Sequence, residues 1–501
     1  MGVQVKEKLK EVNFEEAMEI AGWGKFSIFM ILLSGLTMCV TMLGAMDVAY
    51  LLPSAQCDLD LSSRRKGLLG SAYFIGTITA AHLSGFLADT LGRKFILIRG
   101  TSLNVMVYIL GSLAPNFWIF FVLKIFSGVL TAPTLTAVYP LLGELVPRQR
   151  GAQAVMVAMS LTALSMLYSS MIGWLILGGK WAVDLYLLTF TPWRLFYLLC
   201  CLPSLLVTIL LLFTPESPKF LLAKNNNENA LKVLQKIYSY NTGNEAEDYP
   251  VLSVTMDADE VSMDPPKETA GMLRHILDQT LPLFKYPHLK NTALCTALSF
   301  VFFLCHDTML LWLPEITNRV AHYEDTPGAL ACTCEMVQSV ATPQSAPNTS
   351  TSCQAIVQEG VFIPNLILGV THPAAMLAAS LLVCIVDRKL IIAILLALSS
   401  AVVLMVTLVT TSLPIILLLT AFPVLVSVCS NMCASITIEI FPTYIRAMAV
   451  ALMIIAGRLG SICGSQLFSL LLDSHCLLLF HLLSFLLICW AALPFGFRLK
   501  S

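Results

Sequence analysis

The stretch GFLADTLGRKF, residues 85–95, interrupts two long apolar runs with Asp89, Arg93 and Lys94. A shorter echo, CIVDRKLII at 384–392, places Asp387 298 residues after Asp89. A second pair of echoes stands beside the first: ELVPRQRG begins at Glu144 and EIFPTYIRA at Glu439, 295 residues apart. Each reads acid, two residues, proline, then arginine after a short gap. Two independent echoes at nearly one offset point to an internal duplication, so the chain reads as two copies of one unit.

Composition says what the unit is. The chain has 501 residues, 57% hydrophobic and 12% charged, with a net charge of −1. Soluble domains carry about 25% charged residues, so much of this chain must face lipid. The near-zero net charge gives no ground for a nucleic-acid partner. A bilayer-crossing helix needs about 20 largely apolar residues. Twelve such runs lie near 26–46, 67–88, 95–114, 117–142, 152–178, 193–213, 292–316, 361–386, 389–410, 413–438, 447–472 and 475–496. They are leucine-rich and longer than the roughly ten-residue alternating strands of a barrel. Breaks are expected in the fourth, fifth and tenth. The expected fold is an all-α membrane protein, with twelve transmembrane helices in two six-helix bundles over 26–213 and 292–496.

Lys and Arg in short loops set the orientation. Arg93, Lys94, Arg99, Arg148, Arg150, Arg388, Lys389, Arg446, Arg498 and Lys500 share the side of both termini, which is read as cytosolic; SSRRKG at 62–67 is the exception. Residues 1–25 are Lys- and Glu-rich, without the apolar core of a secretory signal, and 497–501 form the other tail. The central segment 214–291 opens with NNNENALKVLQKIYSY (225–240), where Ala230, Leu234, Ile237 and Tyr238 recur at helical spacing. The acidic EAEDYPVLSVTMDADEVSMDPP that follows (245–266) reads as a flexible connector without a tight core. An outer loop at about 317–360 carries the acceptor pattern NTS at Asn348. Its Cys332, Cys334 and Cys353, with Cys57 of the first outer loop, make four thiols with three pairings in an oxidising compartment. Most other cysteines read as small buried hydrophobes.

The opening cluster then reads as a gate. Gly85 allows close helix approach, Gly92 a sharp turn, and Arg93 and Lys94 anchor the inner face. Asp89, Glu144, Arg150, Glu216, Asp387, Arg388, Glu439 and Arg446 are expected to form ion pairs from bundle to bundle that hold the inner gate shut. Such pairs need be worth only a few kcal/mol, because a gate must also open. The plainer reading makes them membrane anchors and helix caps.

GFLADTLGRK, ELVPRQRG, TPWR (191–194), PESPKFLL (215–222) and EIFPTYIRA resemble the signature loops of the major facilitator superfamily, especially its sugar-porter-like and organic-ion branches. LLPSAQCDL (51–59), GLLGSAYFIG (67–76) and LFKYPHL (283–289) resemble the synaptic vesicle glycoprotein 2 family and its related-protein relatives. The resemblance covers nearly the whole chain. It implies a basic residue at Lys124 (in FVLKIFSG) that pairs with substrate or a coupling acid; the lack of an ATP-binding phosphate loop leaves gradient-driven or facilitated transport. The pattern is departed from at TMLGAM (41–46), uncharged where members of the glycoprotein family carry acids, and at SVCSNMCASIT (427–437), which keeps Asn431.

No phosphate loop, dinucleotide turn or metal-ligand cluster appears, so neither an enzyme nor a cofactor is expected. A charge at the bilayer centre costs about 2.5–3.5 kcal/mol, and those retained there tend to be functional. The candidates for substrate binding or coupling are Asp47, Lys124, Tyr139, His306, Asp307, Asn431 and Arg458, with His82 and His372 nearby in the sequence of spans. The His306–Asp307 pair could bind and release a proton. The plainer readings are a structural ion pair for Lys124, inner-face packing for Arg458, and interface anchoring for Tyr139, Trp193 and Trp312. The function expected is secondary active or facilitative transport of small polar or charged organic solutes by alternating access. A proton or sodium ion is the candidate co-transported ion. The protein is expected as a monomer in the plasma membrane or an intracellular vesicle. The alternative is a vesicle membrane glycoprotein of the same fold that acts in trafficking or as a receptor without transporting.

Overall fold

The computed structural model describes residues 11–186, 188–255, 280–324, 331–341, 357–383 and 385–497. Asn348 and Cys353 lie outside these residues, as do the side chains of His82 and Asp89. Twelve spans run as Lys25–Ser54, Ser63–Leu91, Arg93–Ser112, Phe117–Glu144, Arg148–Leu177, Pro192–Phe213, Leu289–Glu324, Ile363–Leu382, Arg388–Leu408, Ser412–Ile440, Thr443–Leu471 and Cys476–Trp490. Ten helical segments among the described residues are long and apolar enough to cross a bilayer. The other two are span 2, whose first turn carries Arg64, Arg65 and Lys66, and span 8, an apolar helix that ends at Leu381 and Leu382. Below, the side where span 1 begins and span 12 ends is called the terminal face, and the opposite side the far face.

The expected breaks fall differently. Spans 4 and 10 continue through Pro133, Pro140 and Pro423, as membrane helices can when neighbours re-satisfy the freed backbone. Span 5 does change, to a 3₁₀ turn at Leu161–Ala163. Span 6 divides into Pro192–Leu199 and Leu202–Phe213. Pro203 has no N–H to offer Leu199, and the hydroxyl of Tyr168 donates to that carbonyl instead, at 2.8 Å.

The duplication is visible in the element ends. Spans 3, 4 and 5 begin at Arg93, Phe117 and Arg148, and spans 9, 10 and 11 begin at Arg388, Ser412 and Thr443. Each pair is 295 residues apart. This register corrects one echo: Asp387 stands where Gly92 does, not Asp89. Both are N-caps, Gly92 at φ +105° and Asp387 through its carboxylate, which accepts from Lys389 N at 3.0 Å.

Within the first half, spans 2 and 4 cross at glycines. A Cβ on Gly76 would lie 2.1 Å from the Ile125 carbonyl oxygen, and one on Gly128 2.2 Å from that of Tyr73. Small residues let membrane helices approach this closely. Between the halves, contact concentrates at the far face. Lys66 Nζ meets Glu315 Oε1 at 2.6 Å, and Ser63 donates to Asp473. Gln466 Nε2 donates to Gly67 O at 3.0 Å, and Asn365 Nδ2 to Tyr50 Oη at 2.8 Å. One large apolar cluster mixes both halves there and continues through the second half to Phe441 and Phe497, whereas a separate cluster at the terminal face draws only on residues 12–254. The halves are thus locked at the far face, meet along spans 2 and 11 as deep as Phe74 and Arg458, and form separate clusters at the terminal face.

That second cluster holds a correction. The segment read as a coreless connector is packed as far as Thr255: Tyr249, Val251 and Val254 are buried. Their partners are distant in sequence, so no local periodicity announces them. Val12–Asn13 pairs in parallel with Val254–Thr255, and helix Phe14–Ala21 lies beside helix Asn227–Thr242, whose buried face is Ala230, Leu234 and Ile237. The Tyr249 hydroxyl donates to Ala17 O at 2.6 Å, and burial pushes its titration well up.

The disulfide expectation is also corrected. Cys334 bonds to Cys476, at the far-face start of span 12, and Cys332 is free; Cys57 is disulfide-bonded. Cys476 reads as part of an apolar run, yet folding brings its Cα within 5.5 Å of that of Cys334, inside the range a bridge needs.

Peptide mapping without reductant should therefore recover a Cys334–Cys476 cross-linked peptide and an alkylated Cys332; a cross-link through Cys332 would contradict the arrangement. Tyr249→Ala should cost about 3–5 kcal/mol, the range for removing a buried aromatic ring, and appear as a lowered melting temperature of the purified protein.

Candidate functional site

Each half buries an acid–base pair within its spans, away from the far-face network. In the first, Lys124 Nζ of span 4 reaches Asp47 Oδ1 of span 1 at 2.5 Å, and the hydroxyl of Tyr108 donates to Asp47 Oδ2 at 2.8 Å. Both charged side chains are 0% exposed. The ammonium lies 5.5–5.6 Å from the ring centres of Tyr73, Tyr108 and Tyr197, a favourable surrounding for a cation withdrawn from water. Around it Tyr73 donates to Thr41 O at 3.0 Å, and Ser127 to Asn104 Oδ1 at 2.8 Å. A lone charge here would be expensive; the pair is enclosed and complete.

The second pair is arranged differently. Asp307 of span 7 accepts from Arg458 Nη1 of span 11 at 3.3 Å and from Ser461 Oγ at 2.7 Å, both at Oδ2, while His306 Nδ1 meets Oδ1 at 2.8 Å. The guanidinium sits between two rings, Phe303 of its own half at 5.5 Å and Phe74 of the other half at 5.4 Å. This pair therefore lies at the seam. Arg458 Nε and His306 Nε2 are buried without a hydrogen-bond partner. The ring of His372, from span 8, is centred 6.4 Å from that of His306. The two pairs are linked through span 2, where the neighbouring rings of Tyr73 and Phe74 stand 6.0 Å apart, one under Lys124 and the other under Arg458.

The remaining candidates are more scattered. Asn431 of span 10 is exposed and donates to Ser427 O at 3.0 Å, with Met376 Sδ at 3.3 Å. Tyr139 packs against the terminal-face cluster, away from both pairs. A small cavity between the halves is lined by Met46, Ala49, Tyr50, Met166, Ser169, Leu310 and Asn365.

The gate residues pair within halves, which corrects the expected pairing from bundle to bundle. Arg93 bonds Glu144, whose Oε2 accepts from Ser217 Oγ at 2.5 Å. Glu216 Oε1 accepts from Lys94 N at 3.0 Å, and Lys94 Nζ donates to Thr214 O at 2.5 Å. The second half repeats this: Arg388 bonds Glu439 at 2.9 Å, and Lys389 Nζ donates to Phe497 O at 2.8 Å. The reason is local. The turn at Gly92, or at Asp387, starts the next span beside the end of span 4, or of span 10, in its own half. Arg446 donates to Phe441 O at 3.3 Å, Arg150 lies 5.1 Å from the ring centre of Trp23, and Gly85 has open space around it.

One network escaped the sequence reading. At the far face Lys66, Glu315, Arg319 and Asp473 join both halves, with Arg319 at 2.9 Å from Glu315 and 2.7 Å from Asp473. The signal was present: an acid and an arginine four residues apart near the end of an apolar helix stack on one face.

A sequence model of the Major Facilitator Superfamily matches residues 32–342. Human synaptic vesicle glycoprotein 2B is 24% identical over 333 residues, which cover 62% of this chain and 48% of that protein. Rat synaptic vesicle glycoprotein 2A is 27% identical over 245 residues, 48% of this chain and 33% of that one. The matched part thus spans half or less of these curated relatives. Among solved structures, the inward-open xylose transporter of E. coli superposes with a TM-score of 0.68 at 17% identity, covering 95% of this chain and 97% of that one. The nucleoside transporter NupG does so at 0.63 and 12%, covering 95% and 100%. The family match, the repeated halves and the twelve spans agree: the chain is an integral membrane protein that belongs to the Major Facilitator Superfamily.

Proposed function

We propose that the protein is a secondary transporter of small polar or charged organic solutes, working by alternating access between its two halves with both termini in the cytosol. The observation that carries this reading is the place of the Asp307–Arg458 pair, charges held at the seam under Phe74 of the opposite half. A pair at a seam changes surroundings when the halves rock, whereas Asp47–Lys124, enclosed in one bundle, keeps its own. A solute that contacts the seam pair can therefore bind the two states unequally, as any driven transition requires. His306, Asp307, Arg458 and Asn431 are the binding and coupling groups in this scheme, with Asp47 and Lys124 as the fixed charge behind them.

Rocking would open the Lys66–Glu315 lock at the far face. It would bring together the terminal-face clusters around Arg93–Glu144 and Arg388–Glu439, with Asp89, Gly85 and Arg446 beside them, as the inner gate. Lys94, Lys389 and their arginine neighbours at that face support its cytosolic assignment. A proton is the favoured co-transported ion: a solved neighbour is a D-xylose–proton symporter, and the seam here holds an imidazole against a carboxylate. The protein acts as a monomer, in the plasma membrane or in a secretory vesicle like its vesicle-glycoprotein relatives.

Two measurements test this. In proteoliposomes assayed against a solute panel with and without a pH gradient, Arg458→Gln and Asp307→Asn should each lower uptake about tenfold or more, because an uncompensated buried charge costs about 3–5 kcal/mol. If intact protein moves no solute in the panel, transport is the wrong function. Glu315→Gln should weaken the far-face lock, so that a thiol introduced by Ser169→Cys is labelled faster from the far side; unchanged labelling would remove the lock from the mechanism.

A further inference from the structure

Resting on the transport reading above, we infer that the seam site takes a small organic monocarboxylate together with one proton, the carboxylate on the Nε edge of Arg458 and the proton on His306 Nε2. Asp307 is satisfied: His306 holds Oδ1, while Arg458 and Ser461 hold Oδ2. An organic cation would find no carboxylate to itself. What remain are nitrogens, Arg458 Nε and His306 Nε2, both buried and both without a partner. Arg458 is only 8% exposed, so its free N–H is a donor held out of water.

The imidazole supplies the second group. A carboxylate can only accept, so His306 Nδ1 carries the hydrogen toward Asp307 and Nε2 of the neutral ring is a bare lone pair. A proton added there turns Nε2 into a second donor within the cluster that Asp307 joins to Arg458. Two charge-assisted donors suit a carboxylate, and a guanidinium edge matches its geometry.

Charge fixes the stoichiometry. Asp307 and Arg458 cancel, and with neutral His306 the seam carries no net charge. A carboxylate entering alone would leave an uncompensated negative charge in a low-dielectric seam, which is costly. A carboxylate entering with one proton leaves the site neutral. Besides the imidazole, one further titratable ring and one balanced ion pair stand near the seam. His372 from span 8 stands beside the ring, Asn431 from span 10 is uncharged, and the Asp47–Lys124 pair beyond Tyr73 and Phe74 is itself balanced. Each turnover then moves one anion and one proton and no net charge.

The test uses the full chain in proteoliposomes, with radiolabelled gluconate, lactate, tetraethylammonium and D-xylose as probes. Gluconate or lactate uptake should saturate and should follow an imposed pH gradient. A potassium diffusion potential set with valinomycin should leave it unchanged. Apparent affinity should fall as pH rises, approaching about tenfold per pH unit, the slope of one linked proton. Arg458→Gln should remove carboxylate uptake, and His306→Gln should flatten the pH slope at the weak, high-pH level. Transport of tetraethylammonium or xylose without the carboxylates would overturn the substrate class and leave transport standing. Carboxylate flux that ignores pH or follows the potential would overturn the proton linkage. Flux of none of the four would defeat this proposal; a wider panel without flux would defeat the transport reading as well.

Discussion

A charge withdrawn into hydrocarbon must meet its opposite inside the fold, and this one constraint organises the molecule. A membrane helix retains a charge at a cost of a few kcal/mol even when the chain tolerates it. Asp47 on span 1 and Lys124 on span 4 meet that cost by closing on each other within one bundle. Asp307 and Arg458 meet it at the seam, and Lys66, Glu315, Arg319 and Asp473 at the far face. Where each acid finds its base decides which helices must touch. The far-face network, with the apolar cluster that mixes both halves, is what holds the halves in their present relation.

The two halves agree at the terminal face and differ in the core. Arg93–Glu144 and Arg388–Glu439 are the same ion pair repeated 295 residues on, and Lys94 and Lys389 each hold a carbonyl near the end of their half's last helix. In the core the repeat fails. Leu419 stands where the register would put a second Lys124, and Ala163 where it would put a second Arg458. Ala163 lies in the 3₁₀ turn of span 5. The scaffold has stayed symmetric while the charges have moved, so one half encloses its pair and the other presents it to the seam. That asymmetry suits a machine in which one half is the fixed reference and the other carries the chemistry.

The terminal-face cap joins two segments distant in the chain. Residues before span 1 and residues after span 6 share a short parallel strand pair and a common apolar cluster. Asn241 fastens the arrangement, accepting from Phe26 N at 3.1 Å and donating to Gly22 O at 2.7 Å. The cap belongs to the first half alone and would travel with it as a rigid piece.

The sequence by itself determined the membrane class, the twelve spans and the duplication, because lipid burial demands apolar length and a repeat keeps its offset. It also singled out Asp47, Lys124, His306, Asp307 and Arg458 one by one, since an unexplained charge in an apolar run is conspicuous without any partner. What it could not give was the pairing. Asp47 lies 77 residues from Lys124, Asp307 151 from Arg458, and Lys66 249 from Glu315. No local period or spacing encodes contacts of that length. The same holds for Cys334 with Cys476, and for Tyr249 with Ala17. Only the packed tertiary structure decided that one charged pair is sealed in a bundle and the other set at the seam, because that depends on how helices from both halves stand against one another.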